Sequence, residues 1–452
     1  MPETVKLVRG SSGYAKHLRR SALMAAVIFF GAMLWPFLRR GENSEFVVCY
    51  VRAARRMEAR QSIHRDELTA YAYPPAMAML TMPLAQLSAK ASLAVWYAVN
   101  VAAAVIVVAG AWRLVGGPSL RSLEGAWAAV FWLAVLLMFR FVSSPFENQQ
   151  FDTVIAALIT IGCLRLWRGR ELQGAVWLGA AAAMKCTPLL FGPYLLWRGR
   201  VKAACLMSLV AVGLNRLPDY FWPRASGASY LGDWAGTFLA KLGRTAPGVW
   251  DSDLILNQSL SGLFNRFAQS GLAMSADQLP SGLAALAPET VRWIRWLTYG
   301  ASLLLLGAAV WRMGRPGKPC PAEPADARPP LDWSHLQLGV EASIICCLML
   351  LLSPMSSKAH YVVLVLPCLA FARAVVEGRH RFFRFLTLLL IVTGPLTSKG
   401  LTGKALGDLT LAWGFPTWYA LILLLGMWLL LPLTRSQQTG VSIVGVRTGR
   451  AA

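Results

Sequence analysis

Charge is what this 452-residue chain has little of: 15% of its residues are charged, where a soluble protein carries about 25%. Acidic residues are the scarcer sign, 22 Asp and Glu against 44 Lys and Arg. Long polar stretches are few, and the hydrophobic fraction reaches 56% with a mean hydropathy of +0.49. That composition excludes an ordinary soluble enzyme and a disordered chain. The strict alternation of a transmembrane β-barrel, with strands of about ten residues, is absent too. The sequence also lacks CxxC, a Cys/His cluster of zinc spacing, HExxH, a P-loop, a Rossmann glycine fingerprint and GxSxG. A cytoplasmic nucleotide site and a zinc site are therefore not expected, and no metal or cofactor is.

What is present is a series of apolar runs long enough to match the roughly 30 Å bilayer core. The net charge of +22 invites a nucleic-acid reading, which would need a basic patch on a soluble face. Instead the basic residues sit in short loops between apolar runs, the pattern of the positive-inside rule. The partner they imply is a lipid bilayer, not nucleic acid. The expected fold class is all-α, a polytopic membrane protein of about 10–12 transmembrane helices with loop helices outside. Of eight cysteines, only Cys49 falls in an outer loop, so the cysteines read as packing residues rather than disulfides.

The basic segments give the orientation. Lys6, Arg9, Lys16, Arg19 and Arg20 precede a first run, Ser21 to Leu38, read as a retained anchor. Loops 165–173, 198–202 and about 312–333 carry further Arg and Lys, and so does the tail after Leu433. These mark the cytoplasmic side, with both termini inside. The domain reading is an N-terminal segment over 1–20, one transmembrane domain over 21–433 and a loose tail over 434–452. No internal repeat stands out. Two stretches fit no single span: 74–87 is too short, and 174–197 is broken by Lys185-Cys186-Thr187-Pro188. Irregular backbone at membrane depth is tolerated where protein or a water-filled cavity surrounds it, so both are expected to line a cavity.

The polar inventory concentrates in the outer segments, and each candidate has a structural alternative. Glu45, just after the first helix, can serve as a general base or be a solvated loop charge; Glu42 is its rival. Asn148 and Gln149 open a helix and can bind hydroxyls, with Asp152 beside them as a helix cap. Lys185 is an ionisable group inside an apolar stretch, a functional candidate by default, unless it snorkels to an interface. Asn257, Gln258 and Arg266 recur at helical spacing, and the Arg266 fork suits a phosphate as well as an interfacial helix. His360 stands at an outer helix end and can donate to phosphate or a sugar hydroxyl.

Taken in order, these motifs resemble glycosyltransferase family 87. The resemblance rests on Glu45-Phe46, Tyr71-Ala72-Tyr73-Pro74-Pro75, Asn148-Gln149, Gly174 with Lys185–Pro188, Asn257–Arg266 and Ser353–His360, and covers about residues 20–430. It implies a GT-C fold with its site on the extracytoplasmic face of the plasma membrane. It also implies transfer of mannose or a pentose such as arabinose from a polyprenyl-phosphate donor to a lipid or glycan acceptor, with inversion. Glu45 would be the base, where the family commonly has Asp. Arg266, His360 and Lys185 would hold the donor phosphate. Asn148, Gln149, Asn257 and Gln258 would orient sugar hydroxyls, and Tyr71 and Tyr73 would shape the groove. The competing functions are a flippase of lipid-linked glycans, which should show inverted repeats and paired midplane charges, and a non-catalytic envelope scaffold.

Overall fold

The computed structural model describes residues 12–64, 71–118, 125–239, 254–270, 287–314, 336–378 and 381–434. Most of the basic loop 312–333 and of the C-terminal tail lie outside those residues, as does Cys320. The other seven cysteines are free.

The described chain is helical. Its helices are α1 (Ser12–Leu38), α2 (Arg52–Glu58), α3 (Pro75–Ala85), α4 (Ala89–Leu114), α5 (Ala126–Glu147) and α6 (Asp152–Trp167). They continue with α7 (Glu171–Met184), α8 (Phe191–Trp197), α9 (Val201–Phe221), α10 (Tyr230–Trp234), α11 (Leu260–Ser270) and α12 (Pro288–Met313). The last five are α13 (Gln337–Leu351), α14 (Val365–Val376), α15 (Arg381–Leu396), α16 (Lys399–Ala412) and α17 (Phe415–Leu430).

Seven segments are long and apolar enough to cross a bilayer, and an eighth is if α15 and α16, bent by 97°, count as one. Helix α16 folds back on α15 just after Pro395. Helices α6, α7 and α13 have 14 to 16 residues, about 21–24 Å at 1.5 Å per residue. They are shorter than the bilayer core, and they account for much of the gap between these spans and the ten to twelve crossings the sequence suggested.

Burial sorts the helices. Every residue of α13 is buried, and it packs against α14 and α17. At the start of α13 the fully buried Glu341 accepts hydrogen bonds from Tyr194 (2.9 Å), Gln337 (2.8 Å) and Arg198. A carboxylate removed from water is tolerable because that set of donors surrounds it. By contrast α1 and α12 show most of their apolar surface, including Trp35, Trp293, Trp296 and Trp311. Tryptophan at helix ends suits the bilayer interface.

Helices α6 and α7 form the hairpin on which the site depends. They approach through glycine: a Cβ on Gly174 would lie 2.7 Å from Leu166 and 2.9 Å from the Gly162 carbonyl. A Cβ on Gly162 would meet Leu178 at 2.8 Å. Small residues at such a crossing let the backbones close. Helix α7 then stops at Met184, and Lys185 is extended (φ −155°, ψ 131°). Pro188 follows in a 3-10 turn, Thr187–Leu190; with no N–H to give the Met184 carbonyl four residues back, it does not continue α7. Helix α3 is short and the 174–197 stretch is broken; of the residues expected to line a cavity, Lys185 and Thr187 do so and none of 74–87 does.

Gly174→Val is expected to destabilise the protein by about 1–3 kcal/mol, read as a lower midpoint of thermal unfolding in detergent. Gly192→Ala, whose Cβ would meet nothing within 4 Å, is the control and should change little.

Candidate active site

The antiparallel α6–α7 hairpin brings its open ends together: the first residue of α6, Asp152, and the residue that ends α7, Lys185. Lys185 Nζ donates to Asp152 Oδ1 at 2.7 Å, and both side chains are largely buried. A negative group in the first turn of α6 is also favoured by the helix dipole. Opposite them stands His360, in the 3-10 turn Lys358–Leu364 that leads into α14. Its Nε2 lies 3.8 Å from Asp152 Oδ2. Asp152, Lys185, Thr187, Ser356 and His360 line one cavity, closed by the apolar Ile155, Met349, Leu350 and Val363. The space enclosed is about 10 Å³, room for one oxygen-sized group.

Glu45 is tied to this centre by Gln150, two residues before Asp152, whose Nε2 donates to Glu45 Oε1 at 3.1 Å. Glu45 precedes a π-helical turn, Phe46–Val51, and the buried Phe46 stacks on Trp96 at 4.8 Å. Burial raises the Glu45 carboxyl above the usual carboxylate range, while the Gln150 hydrogen bond and the charge of Arg40 act the other way. The rival Glu42 sits exposed in the preceding turn. Tyr73 fills the wall between the two carboxylates. Its hydroxyl accepts from Tyr50 (3.3 Å), its ring meets Phe151 edge-on, and Lys185 Nζ lies 6.0 Å from the ring centre. Tyr71 is buried one layer behind, where its carbonyl faces the His64 ring.

The remaining candidates hold the site rather than line it. Asn148 Nδ2 closes the end of α5 on the Ser144 carbonyl (2.9 Å). Gln149 takes a positive φ of 55°, rare outside glycine. Its side chain therefore turns away to donate to the Phe37 carbonyl, and its own carbonyl accepts from Trp96 at 2.9 Å. Asn257 Nδ2 donates to the Pro354 carbonyl (2.9 Å), and its Oδ1 accepts from the Ser356 amide (3.1 Å). Gln258 Nε2 donates to Leu411 (2.9 Å), and its carbonyl accepts from Tyr361 (2.6 Å) and Thr417 (2.8 Å). Arg266, buried in α11, donates to the carbonyls of Ala412 (2.9 Å) and Asn257. The 254–266 segment thus braces the 353–360 loop from behind, and none of its three candidates lines the cavity. Asp152 lines the cavity and Gln150 contacts Glu45, and the sequence pointed to neither as a ligand-binding residue. Among the described residues no three His, Cys, Asp or Glu side chains group as a metal site requires.

Comparison with known proteins bears on this arrangement. The model of glycosyltransferase family 87 matches residues 71–323, more than half of the chain. The chain belongs to glycosyltransferase family 87. The matched stretch holds Tyr73, Gln150, Asp152, Lys185 and the bracing 257–266 segment, whereas Glu45 and His360 lie outside it. A relative from Mycobacterium tuberculosis (strain CDC 1551 / Oshkosh) is 27% identical over 287 residues. It is described as a polyprenol-phosphate-mannose-dependent alpha-(1-2)-phosphatidylinositol pentamannoside mannosyltransferase. The alignment covers 60% of this chain and 61% of that relative, so the chain spans less than two thirds of its length. No solved structure matches.

Lys185→Met leaves the Asp152 carboxylate buried beside an apolar side chain. It is expected to destabilise by about 3 kcal/mol, the usual result of removing one partner of a buried pair. Adding Asp152→Asn should recover much of that loss in the same thermal-unfolding measurement. Losses that simply add would show that the two side chains are not coupled.

Proposed function

We propose that this member of the family transfers a sugar, with mannose the first candidate, from a polyprenyl-phosphate donor to a hydroxyl of a lipid or glycan acceptor. The observation that carries the reading is the convergence of a carboxylate, a charged pair and a histidine from four separate segments on one centre. Each part suits glycosyl transfer from a phosphate. Glu45 takes the proton of the acceptor hydroxyl as its oxygen bonds to the anomeric carbon. The bond from that carbon to the phosphate oxygen breaks, and the phosphate leaves with the electron pair, inverting the centre. Burial that raises the Glu45 carboxyl brings its proton affinity nearer to working pH, which favours a general base. Lys185 holds positive charge where the leaving phosphate gains negative charge. The bilayer supplies the donor's apolar chain, and the exposed aliphatic surface of the helices matches it.

The site lies at the end of α6 and α7 opposite the basic loops 165–173 and 198–202. By the positive-inside rule those loops are cytoplasmic, so we assign the site to the extracytoplasmic face of the plasma membrane, with both termini inside.

The test uses the full chain in lipid nanodiscs, labelled polyprenyl-phosphate mannose and a panel of lipid and glycan acceptors. Glu45→Gln should lower turnover by about 10²–10⁴-fold while donor binding stays within a few-fold. Turnover at the normal rate would remove Glu45 from the role of base. The pH dependence adds a second expectation. Activity should fall as pH drops through the raised Glu45 value, because the base must be ionised. Gln150→Leu removes a hydrogen bond that favours the ionised form, so the acidic limb of kcat/KM should move to higher pH. A limb that stays in place would separate it from Glu45.

A further inference from the structure

We propose that Asp152 and His360 form a seat for one hydroxyl group of the transferred sugar; this rests on the glycosyl-transfer reading above. The Asp152 carboxylate uses only one oxygen in its pairing with Lys185. The other, Oδ2, is buried without a hydrogen-bond partner, an uncommon state for a carboxylate oxygen inside a protein. Facing it is His360 Nε2 at 3.8 Å, beyond the 2.7–3.2 Å of a direct N–H···O bond. The protonation of that nitrogen follows from the far side of the ring. The Ser357 amide donates to His360 Nδ1 at 3.1 Å, so Nδ1 is an acceptor and the proton is assigned to Nε2. The ring's other polar neighbour is the Met355 carbonyl.

A donor and an acceptor therefore face the same small cavity, and an oxygen seated beside the 3.8 Å gap comes within hydrogen-bond reach of both. A hydroxyl accepts from Nε2–H through a lone pair and donates its own hydrogen to Oδ2. An ionised phosphate oxygen has no hydrogen to give and would face a carboxylate, and an ammonium has no lone pair for Nε2–H. The seat thus accepts a hydroxyl and turns away the donor's phosphate, which separates His360 from the phosphate-binding role its sequence position suggested. Ile155, Met349, Leu350 and Val363 close the remaining walls, so a single polar group can enter. Asp152 is held ionised against Lys185 and serves to bind, leaving proton removal from the acceptor to Glu45. The hydroxyl seated here is assigned to the transferred sugar, since Lys185, placed against the donor phosphate, borders the same cavity.

The test compares polyprenyl-phosphate mannose with its 2-, 3-, 4- and 6-deoxy forms. Binding is read by competition in nanodiscs, and turnover is read in parallel. In the unsubstituted protein one deoxy form should bind more weakly by about ten- to a hundredfold, the range for hydrogen bonds to charged groups. His360→Asn keeps an acceptor for the Ser357 amide but places no donor at Nε2; with the Asp152 acceptor still present, it should shrink the discrimination several-fold without abolishing it. His360→Gln places an amide N–H near Nε2 and should restore the discrimination. Unfolding midpoints of both variants confirm that they fold.

The seat is overturned if the unsubstituted protein treats every deoxy form alike, or if His360→Asn keeps the preference undiminished. It is also overturned if His360→Gln behaves as His360→Asn does, which would mean that the Nε2 proton serves Met355. Turnover without discrimination removes the seat and leaves the transferase reading. Discrimination in binding without turnover keeps the seat and removes that reading. Absence of both removes both.

Discussion

The ion pair between Lys185 and Asp152 is the constraint around which the rest of this molecule is arranged. Neither charge could be held alone at that depth, since an isolated ion in an apolar surround is strongly disfavoured. Each is tolerable because the other is 2.7 Å away. That distance depends on two features remote from the charges. The α6–α7 hairpin closes tightly because Gly162 and Gly174 have no side chains to hold the helices apart. Helix α7 then ends a residue before Lys185, whose extended backbone turns the long side chain toward the start of α6. The pair in turn orients Asp152, and through the short turn before it Gln150 and Glu45.

Behind the charged centre lies a second polar layer with a different task. The 353–360 loop interrupts what would otherwise be an apolar column of α13 and α14, and its backbone groups need partners. The Asn257 side chain supplies them to Pro354 and Ser356, and the Gln258 backbone amide donates to the Ser356 carbonyl, with Tyr361 and Thr417 closing on the Gln258 carbonyl. Arg266 fastens the bracing segment to the end of α16. Interlocked side-chain-to-backbone bonds of this kind fix a loop that has no regular structure of its own. His360 is therefore presented from a rigid support, which the proposed hydroxyl seat requires.

Much of this was legible in the sequence. The apolar runs, the short α3 and the break at 185–188 read directly from composition and from Pro188. Lys185 announced itself as a charge in an apolar stretch. Three features did not show. Gln149 and Gln150 are adjacent and chemically identical, and only the positive φ at Gln149 decides which one faces Glu45. Asp152 looked like a helix cap because local spacing contains no trace of a lysine 33 residues on. Asn257, Gln258 and Arg266 looked like ligand-binding groups because polar residues in a membrane protein draw attention, while a backbone carbonyl in need of a donor leaves no mark in the sequence. Glu341 could have been flagged by the rule that raised Lys185, as a lone carboxylate in an apolar run. Its partners at Tyr194 and Arg198 give it a structural role.

The central proposal is that the ends of α6 and α7 carrying Asp152 and Lys185 receive the sugar of a lipid-linked donor. The most direct measurement is a cryo-electron microscopy structure of the full chain in nanodiscs with a non-transferable polyprenyl-phosphate mannose analogue. The sugar is expected beside Asp152 and His360, the phosphate on the Lys185 side and the polyprenyl chain leaving between helices toward lipid. Density for the sugar at the opposite end of the bundle, or in the 254–266 segment with the Asp152 centre unengaged, would contradict the account.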